Sequence, residues 1–379
     1  MSQILRAQST AIAPYTAVEE LKNSLNPASS SLILFFCSSS YDLNMIAEGF
    51  NHFFPDTEVV GCTSAGEIGP TGYVDHSISA ISFPRDDFHV VTACLNDLSH
   101  FTESQGKQFI QSIMVKPESS LPAPNHRYTF AMQLIDGLSK KEENVSHCFQ
   151  KYLSTIPLFG GSAADDVQFT HTYIFHQGRF QENSCVLMLF RTNRPFRMFK
   201  TQHFTAAGEP LVVTETDTNN RIIRELNGLP ATQVYAQQVG CSVEQLDAKI
   251  FANYPVIMKI NGNEYIRSIQ KANADGSLSL YCAIEEGIVL RIAHSQNLER
   301  NLSHQFETLN EAIGGISLTL VCDCILRRTE ILNTQQLPDV TKLLLQNQTS
   351  GFSSFGEQFG SLHLNQTCTG IAFGCEEAE

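Results

Sequence analysis

The chain of 379 residues contains no tryptophan, and its 25 lysines and arginines are outnumbered by 39 aspartates and glutamates. No run of basic side chains concentrates the positive charge that a phosphate backbone or an anionic lipid surface attracts, so neither nucleic acid nor a membrane is expected as a partner. Long apolar runs are missing too. No stretch approaches the roughly 20 residues that span a bilayer, and Met1 to Pro14 lacks the basic start and continuous apolar segment of a secretory leader, so a cytoplasmic protein is expected. The spacing of a disulfide scaffold is also absent: the 11 cysteines are scattered singly, as reduced core thiols are. With 42% apolar residues, no low-complexity tract and a length beyond what one hydrophobic core usually serves, the chain reads as globular with two domains.

Short apolar runs alternate with amphipathic stretches. A strand over 31–37 is followed by a helix ending near Phe53, a strand over 58–61, and the turn from Cys62 to Glu67. Strands over 78–83 and 88–94, helices over 105–114 and 142–153, and a buried strand ending at Asp136-Gly137 come next. A second Gly-rich turn, from Phe159 to Asp166, precedes strands over 170–175 and 184–190. The polar segment 191–195 marks a boundary near residue 194, dividing the chain into 1–194 and 195–379. Beyond it, strands are expected over 211–214, 255–260, 265–270 and 278–282. The helix after Ser295 carries Leu298, Leu302, Phe306, Leu309 and Ile313 on one face. A buried strand over 316–322 follows, then a helix over 340–345. The fold class is α/β: two related mixed domains of sheet packed with helices. An internal duplication is suggested by Gly66-Glu67 and Gly356-Glu357, each 17 residues from glycine to a strand-ending phenylalanine, Phe83 or Phe373.

Catalytic signatures are absent. Neither Gly-rich turn carries the Gly-Lys-Ser/Thr of a P-loop or the GxGxxG of a dinucleotide site. GxSxG and HExxH do not occur, and the Asp165-Asp166 pair has no third partner, so no enzyme is expected. Cys322 and Cys324, with Cys368 and Cys375, alternate on strands rather than forming CxxC pairs, which favours core thiols over zinc or an iron–sulfur centre. Glu67, Arg267 and Asn365 are candidates for a polar pocket that would hold a small metabolite such as an amino acid, the arginine taking its carboxylate and the glutamate its ammonium. His171 and His176 flank a strand, and His304 lies opposite the apolar stripe of its helix.

The turn 61–67 and the turn 159–166 resemble the two signature turns of the FIST N-terminal domain. Residues 226–231, Tyr265 to Ser268 leading on to 275–278, and Gly356-Glu357 with Asn365-Gln366-Thr367 resemble its FIST C-terminal partner, so the resemblance covers roughly residues 30–374. It implies an intracellular sensory module. One branch, the NosP-type nitric oxide sensors, binds haem and regulates a histidine kinase or a cyclic-di-GMP enzyme, and is associated with a His, Arg, Pro arrangement. His203, Arg221 and Pro230, spaced 18 and 9 residues apart, look like that arrangement. The resemblance therefore implies haem b, with His203 as axial ligand to the iron and Arg221 near a propionate. Nitric oxide would be the signal and a kinase or cyclic-di-GMP enzyme the partner, with homodimerisation left open. The same residues also read as an edge-strand histidine, a solvated charge and a helix-starting proline.

Overall fold

The computed structural model describes residues 3–119, 128–260 and 262–375. The first repeat runs β1 (Leu5–Ser9), α1 (Pro14–Ser24), β2 (Ser30–Ser38), α2 (Leu43–Phe53), β3 (Val59–Ser64), a hairpin of β4 (Glu67–Gly69) and β5 (Gly72–Val74), and β6 (Ile78–Pro84). The second repeats that order: β7 (Phe88–Asn96), α3 (Glu103–Ser119), β8 (Tyr128–Ile135), α4 (Glu142–Leu153), β9 (Leu158–Ser162), a hairpin of β10 (Ile174–His176) and β11 (Arg179–Gln181), and β12 (Ser184–Thr192).

A third begins with β13 (Phe196–Thr201) and is then interrupted by an insert. The insert comprises β14 (Phe204–Asp217), β15 (Ile222–Leu226), β16 (Leu229–Pro230), α5 (Ala231–Val239), α6 (Ala248–Asn253), β17 (Val256–Ile260), β18 (Asn263–Arg267), β19 (Ile269–Ala272), β20 (Leu278–Leu280) and β21 (Val289–Ser295). The third repeat resumes with α7 (Leu298–Ile313), β22 (Ile316–Cys324), α8 (Ile325–Asn333), α9 (Leu337–Gln346) and β23 (Thr349–Ser354). It closes with the hairpin of β24 (Glu357–Phe359) and β25 (Leu362–Leu364) and the strand β26 (Cys368–Gly374).

Each repeat lends its hairpin to a neighbour. The three sheets are ordered β1-β6-β2-β3-β10-β11, β7-β12-β8-β9-β24-β25 and β13-β26-β22-β23-β4-β5. In each, the second and third strands of the repeat are parallel and all other pairs antiparallel. The exchange is cyclic and closed, and so is the hydrogen bonding at its centre. Ala65 N–H donates to the Ser353 carbonyl (3.0 Å), Ala164 N–H to that of Thr63 (3.0 Å), and Phe355 N–H to that of Ser162 (3.2 Å). The echo noticed between Gly66-Glu67 and Gly356-Glu357 thus joins two members of a set of three. Residue 194 lies in the connection between β12 and β13, and two of the sheets take strands from both sides of it.

The inner faces of the three sheets meet in one core, where Phe36 stacks on Phe352 at 4.4 Å and Phe130 on Phe190 at 4.6 Å. Phenylalanine supplies the bulk that the absent tryptophan would. Outer faces are covered by helices: α1 and α2 on the first sheet, α3 and α4 on the second, α7 and α9 on the third. All five stripe residues of α7 are buried, as their spacing predicts.

The exchanged hairpins are tied by buried carboxylates. Glu67 accepts from Ser77 N–H (3.0 Å), Ser77 Oγ (2.7 Å) and Ser64 Oγ (2.5 Å). Glu357 accepts from Thr367 Oγ1 (2.7 Å) and Ser354 Oγ (2.6 Å). The second repeat uses Asp136 instead, which takes Asn183 N–H and Thr172 Oγ1. Gly66 is required where it stands: its φ is +119°, and a Cβ would fall on the Arg328 guanidinium.

One expected strand is shorter than its sequence suggests. Residues 170–173 are not part of the β10 strand, because the Asp165 carboxylate accepts the N–H groups of Phe169, Thr170 and His171 and so withholds them from a sheet.

Candidate functional site

His203 sits at the neck of the insert. It lies between β13 and β14, and its carbonyl accepts from Gln296 N–H (2.6 Å) where the chain returns from β21. Its ring is buried between two side chains of α8. Nδ1 is 3.1 Å from an Arg327 terminal nitrogen and Nε2 is 2.8 Å from Glu330. A guanidinium only donates, so Nδ1 accepts and Nε2 carries the proton given to Glu330. Burial lowers the His203 pKa and favours this neutral ring. Arg327 is itself anchored by Asp323 (2.6 Å), which also takes the Tyr73 hydroxyl, while Glu330 holds Ser295 at the far side of the neck (2.9 Å). Both imidazole nitrogens are thus committed, and the residues do not fit an axial haem ligand in this arrangement.

Arg221 has a different assignment. Its guanidinium donates to Glu142 and Glu143 (2.7 Å each), the first two residues of α4, and to the Tyr281 carbonyl (2.7 Å). Glu143 also accepts from Ala283 N–H (2.7 Å). This cluster fastens the insert to the second repeat. Burial raises the Glu142 carboxyl to about 7 against the pull of Arg221. Pro230 is exposed, stands at the start of α5 and does not line the cavity that holds Arg221. The three residues of the His, Arg, Pro arrangement therefore occupy separate places.

Of the other candidate set, Glu67 is consumed by its hairpin. Arg267 ends β18 and reaches across to β25, where one terminal nitrogen lies 3.4 Å from the His363 carbonyl, two residues before Asn365. Asn365 is buried with its Oδ1 unpartnered.

A cavity of about 500 Å³ opens at this seam, between the insert and the second repeat with its borrowed hairpin. Phe101, Met258, Ile284 and Leu362 give it apolar walls, and Arg267 and His363 stand in it. Arg267 is only 7% exposed, its Nε has no hydrogen-bond partner, and no carboxylate among the described residues pairs with it. A buried cation left this way is costly unless something else satisfies it. His363, fully enclosed, is driven down to about 4 by burial and so stays neutral at pH 7. The sequence gives no sign of the contact between Arg267 and His363 or of the Arg221 cluster, because the partners are 60 or more residues apart.

Cys322, Cys324 and Cys368 are buried thiols, each pushed to higher pKa by burial. Among the described residues no group of three His, Cys, Asp or Glu side chains is placed to hold a metal ion, and no helix is long and apolar enough to cross a membrane.

A closed ring of α/β repeats carrying an inserted sheet, with an unsatisfied cation in the cavity between them, is the build of a ligand-binding protein. The FIST N domain matches residues 31–229 and the FIST C domain residues 231–360, and the chain belongs to the FIST family, whose domains are sensory modules of signal-transduction proteins. It is also similar to an uncharacterized protein of Methanocaldococcus jannaschii, with 21% identity over 397 residues that cover 94% of this chain and 75% of that one.

Proposed function

We propose that this protein is a sensory module that binds a small carboxylate-bearing metabolite, such as an amino acid, in the cavity beside Arg267. The observation that carries the reading is the buried, unpaired guanidinium. Its unpartnered Nε–H is a charge-assisted donor that a carboxylate can accept from. Glu285 on the cavity rim suits an ammonium group, whereas Glu103 is already paired with Lys151. A ligand held there would touch the insert through Arg267 and the ring through α4 and β25, so its binding would bias how the insert seats. A signalling partner, of the histidine kinase or cyclic-di-GMP class, would read that change.

The test is a thermal unfolding screen against the common amino acids and small dicarboxylates. A ligand at about 100 times its Kd stabilises by about 2.7 kcal/mol, a rise of a few degrees. We expect at least one such shift in the wild type and none in Arg267→Gln, which keeps the fold because Arg267 has few internal partners. A shift of equal size in both proteins would remove Arg267 from the site.

The haem and nitric oxide reading makes a contrasting demand, since iron would have to displace Glu330 or Arg327 from His203. Haemin added to the purified protein is therefore expected to give no stoichiometric Soret band. His203→Ala is expected instead to cost about 1–3 kcal/mol in urea unfolding, because it strands the Arg327 and Glu330 groups. A one-to-one Soret band lost in His203→Ala, with unfolding unchanged, would restore haem.

A further inference from the structure

A second cavity, of about 310 Å³, lies on the other flank of the Arg221 cluster: Glu143 lines the first, Glu142 and Arg221 the second. It stands beyond the carboxyl ends of β8, β9 and β23, where the chain leaves each strand for a loop, and β19 and β20 of the insert close it from above. Carboxyl ends of strands in α/β sheets are where loops build ligand crevices. Three features mark this one as built.

The first is an aromatic wall. Phe355 stacks on Phe169 at 4.4 Å with planes 12° apart, and Tyr281 lies 6.2 Å from Phe169 at 28°. Phe169 remains 40% exposed, an apolar ring held out in the open. The second is how it is held. Phe169 has φ +55°, and Lys140 (+55°) and Arg221 (+58°), also in the lining, share that left-handed conformation. Non-glycine residues there cost on the order of 1 kcal/mol each and persist only where the surroundings impose them. The three N–H groups bound by Asp165 impose it on the Phe169 loop. The third is charge. Lys140 and Lys271 line the cavity and have no carboxylate partner among the described residues, whereas Glu142 is already neutralised by Arg221.

We propose that this cavity binds a planar aromatic molecule carrying an anionic group, its ring laid on Phe169 and its acid set between Lys140 and Lys271. The site is independent of the Arg267 cavity and does not rest on its assignment.

The probe is 8-anilinonaphthalene-1-sulfonate, a two-ring aromatic anion, followed by its fluorescence on the full-length protein. Saturable one-to-one binding is expected. Phe169→Ala should weaken it about tenfold through loss of the stacking face. Lys271→Ala should weaken it severalfold and reduce its dependence on salt. Lys271 is exposed and Phe169 is 40% exposed, so circular dichroism should be unchanged. Arg267→Gln should bind the probe as the wild type does. Absence of saturable binding would overturn the proposal, as would equal affinity in wild type, Phe169→Ala and Lys271→Ala. A loss confined to Arg267→Gln would place the probe in the other cavity and overturn it as well.

Discussion

Arg221→Ala is expected to destabilise the protein by about 3–5 kcal/mol, the cost of leaving buried carboxylates without their cation. Glu142 is 2% exposed, and the arginine is its cationic partner. With the guanidinium gone, Glu142 must take up a proton or remain as a buried charge beside Glu143. The Tyr281 carbonyl loses its donor in the same step. Urea unfolding of the variant measures the loss. The double variant Arg221→Ala with Glu142→Gln should recover a large part of it, since the cycle isolates the pair. A loss under about 1 kcal/mol would mean that Arg221 is held for a ligand rather than for the seam, which is what a propionate-binding role entails.

The second large effect concerns pH. Burial pushes both Glu67 and Glu357 up to about 8 from an ordinary 4.5, against the hydrogen bonds of the neighbouring Ser and Thr side chains. The folded state therefore holds these protons more tightly than the unfolded chain does. Their contribution to stability is fully present below about 4.5 and is lost as the pH rises through about 8. The gap corresponds to an upper bound on the order of 5 kcal/mol per carboxyl. Stability from these groups should fall steadily between pH 5 and pH 8. Glu67→Gln with Glu357→Gln should flatten that slope, because an amide oxygen still accepts from Ser77 or Thr367 while its NH2 donates to Ser64 or Ser354. At pH 4 the double variant should lie within about 1 kcal/mol of wild type, and at pH 8.5 it should be the more stable protein. An unchanged slope would show that the two carboxyls ionise freely inside the hairpin ties.

How far the sequence could be read follows from the length of each signal. The strand over 31–37 and the stripe from Leu298 to Ile313 were legible because each carries enough residues to show a period, and both are elements of the fold. The exchanged hairpins were not, since β4, β10 and β24 have three residues each and no period can be seen in three. The second repeat was hidden for a chemical reason. Its hairpin tie comes from Asp136, in the loop before α4, rather than from a Gly-Glu turn.

Site residues were legible as types but not as partners. Glu67 next to a glycine turn reads as a solvent-facing or ligand-facing acid, yet its three donors are close in sequence and consume it. His203 reads as an axial ligand from its spacing to Arg221 and Pro230, while Arg327 and Glu330, more than 120 residues later, make it a rivet at the neck. Arg267 stands out only when no carboxylate among the described residues is seen to pair with it, and a missing partner has no signature in a linear sequence.

The central claim is that Arg267 is held open for a carboxylate. It is tested most directly by nuclear magnetic resonance of the arginine Nε–H groups, with the Arg267 signal assigned by its loss in Arg267→Lys. The carboxylate that gives the largest thermal shift in the screen is then titrated in. The account predicts that the Arg267 Nε–H signal moves progressively, saturates with the binding curve and becomes protected from solvent exchange. A signal that stays fixed while the ligand saturates the protein would contradict it.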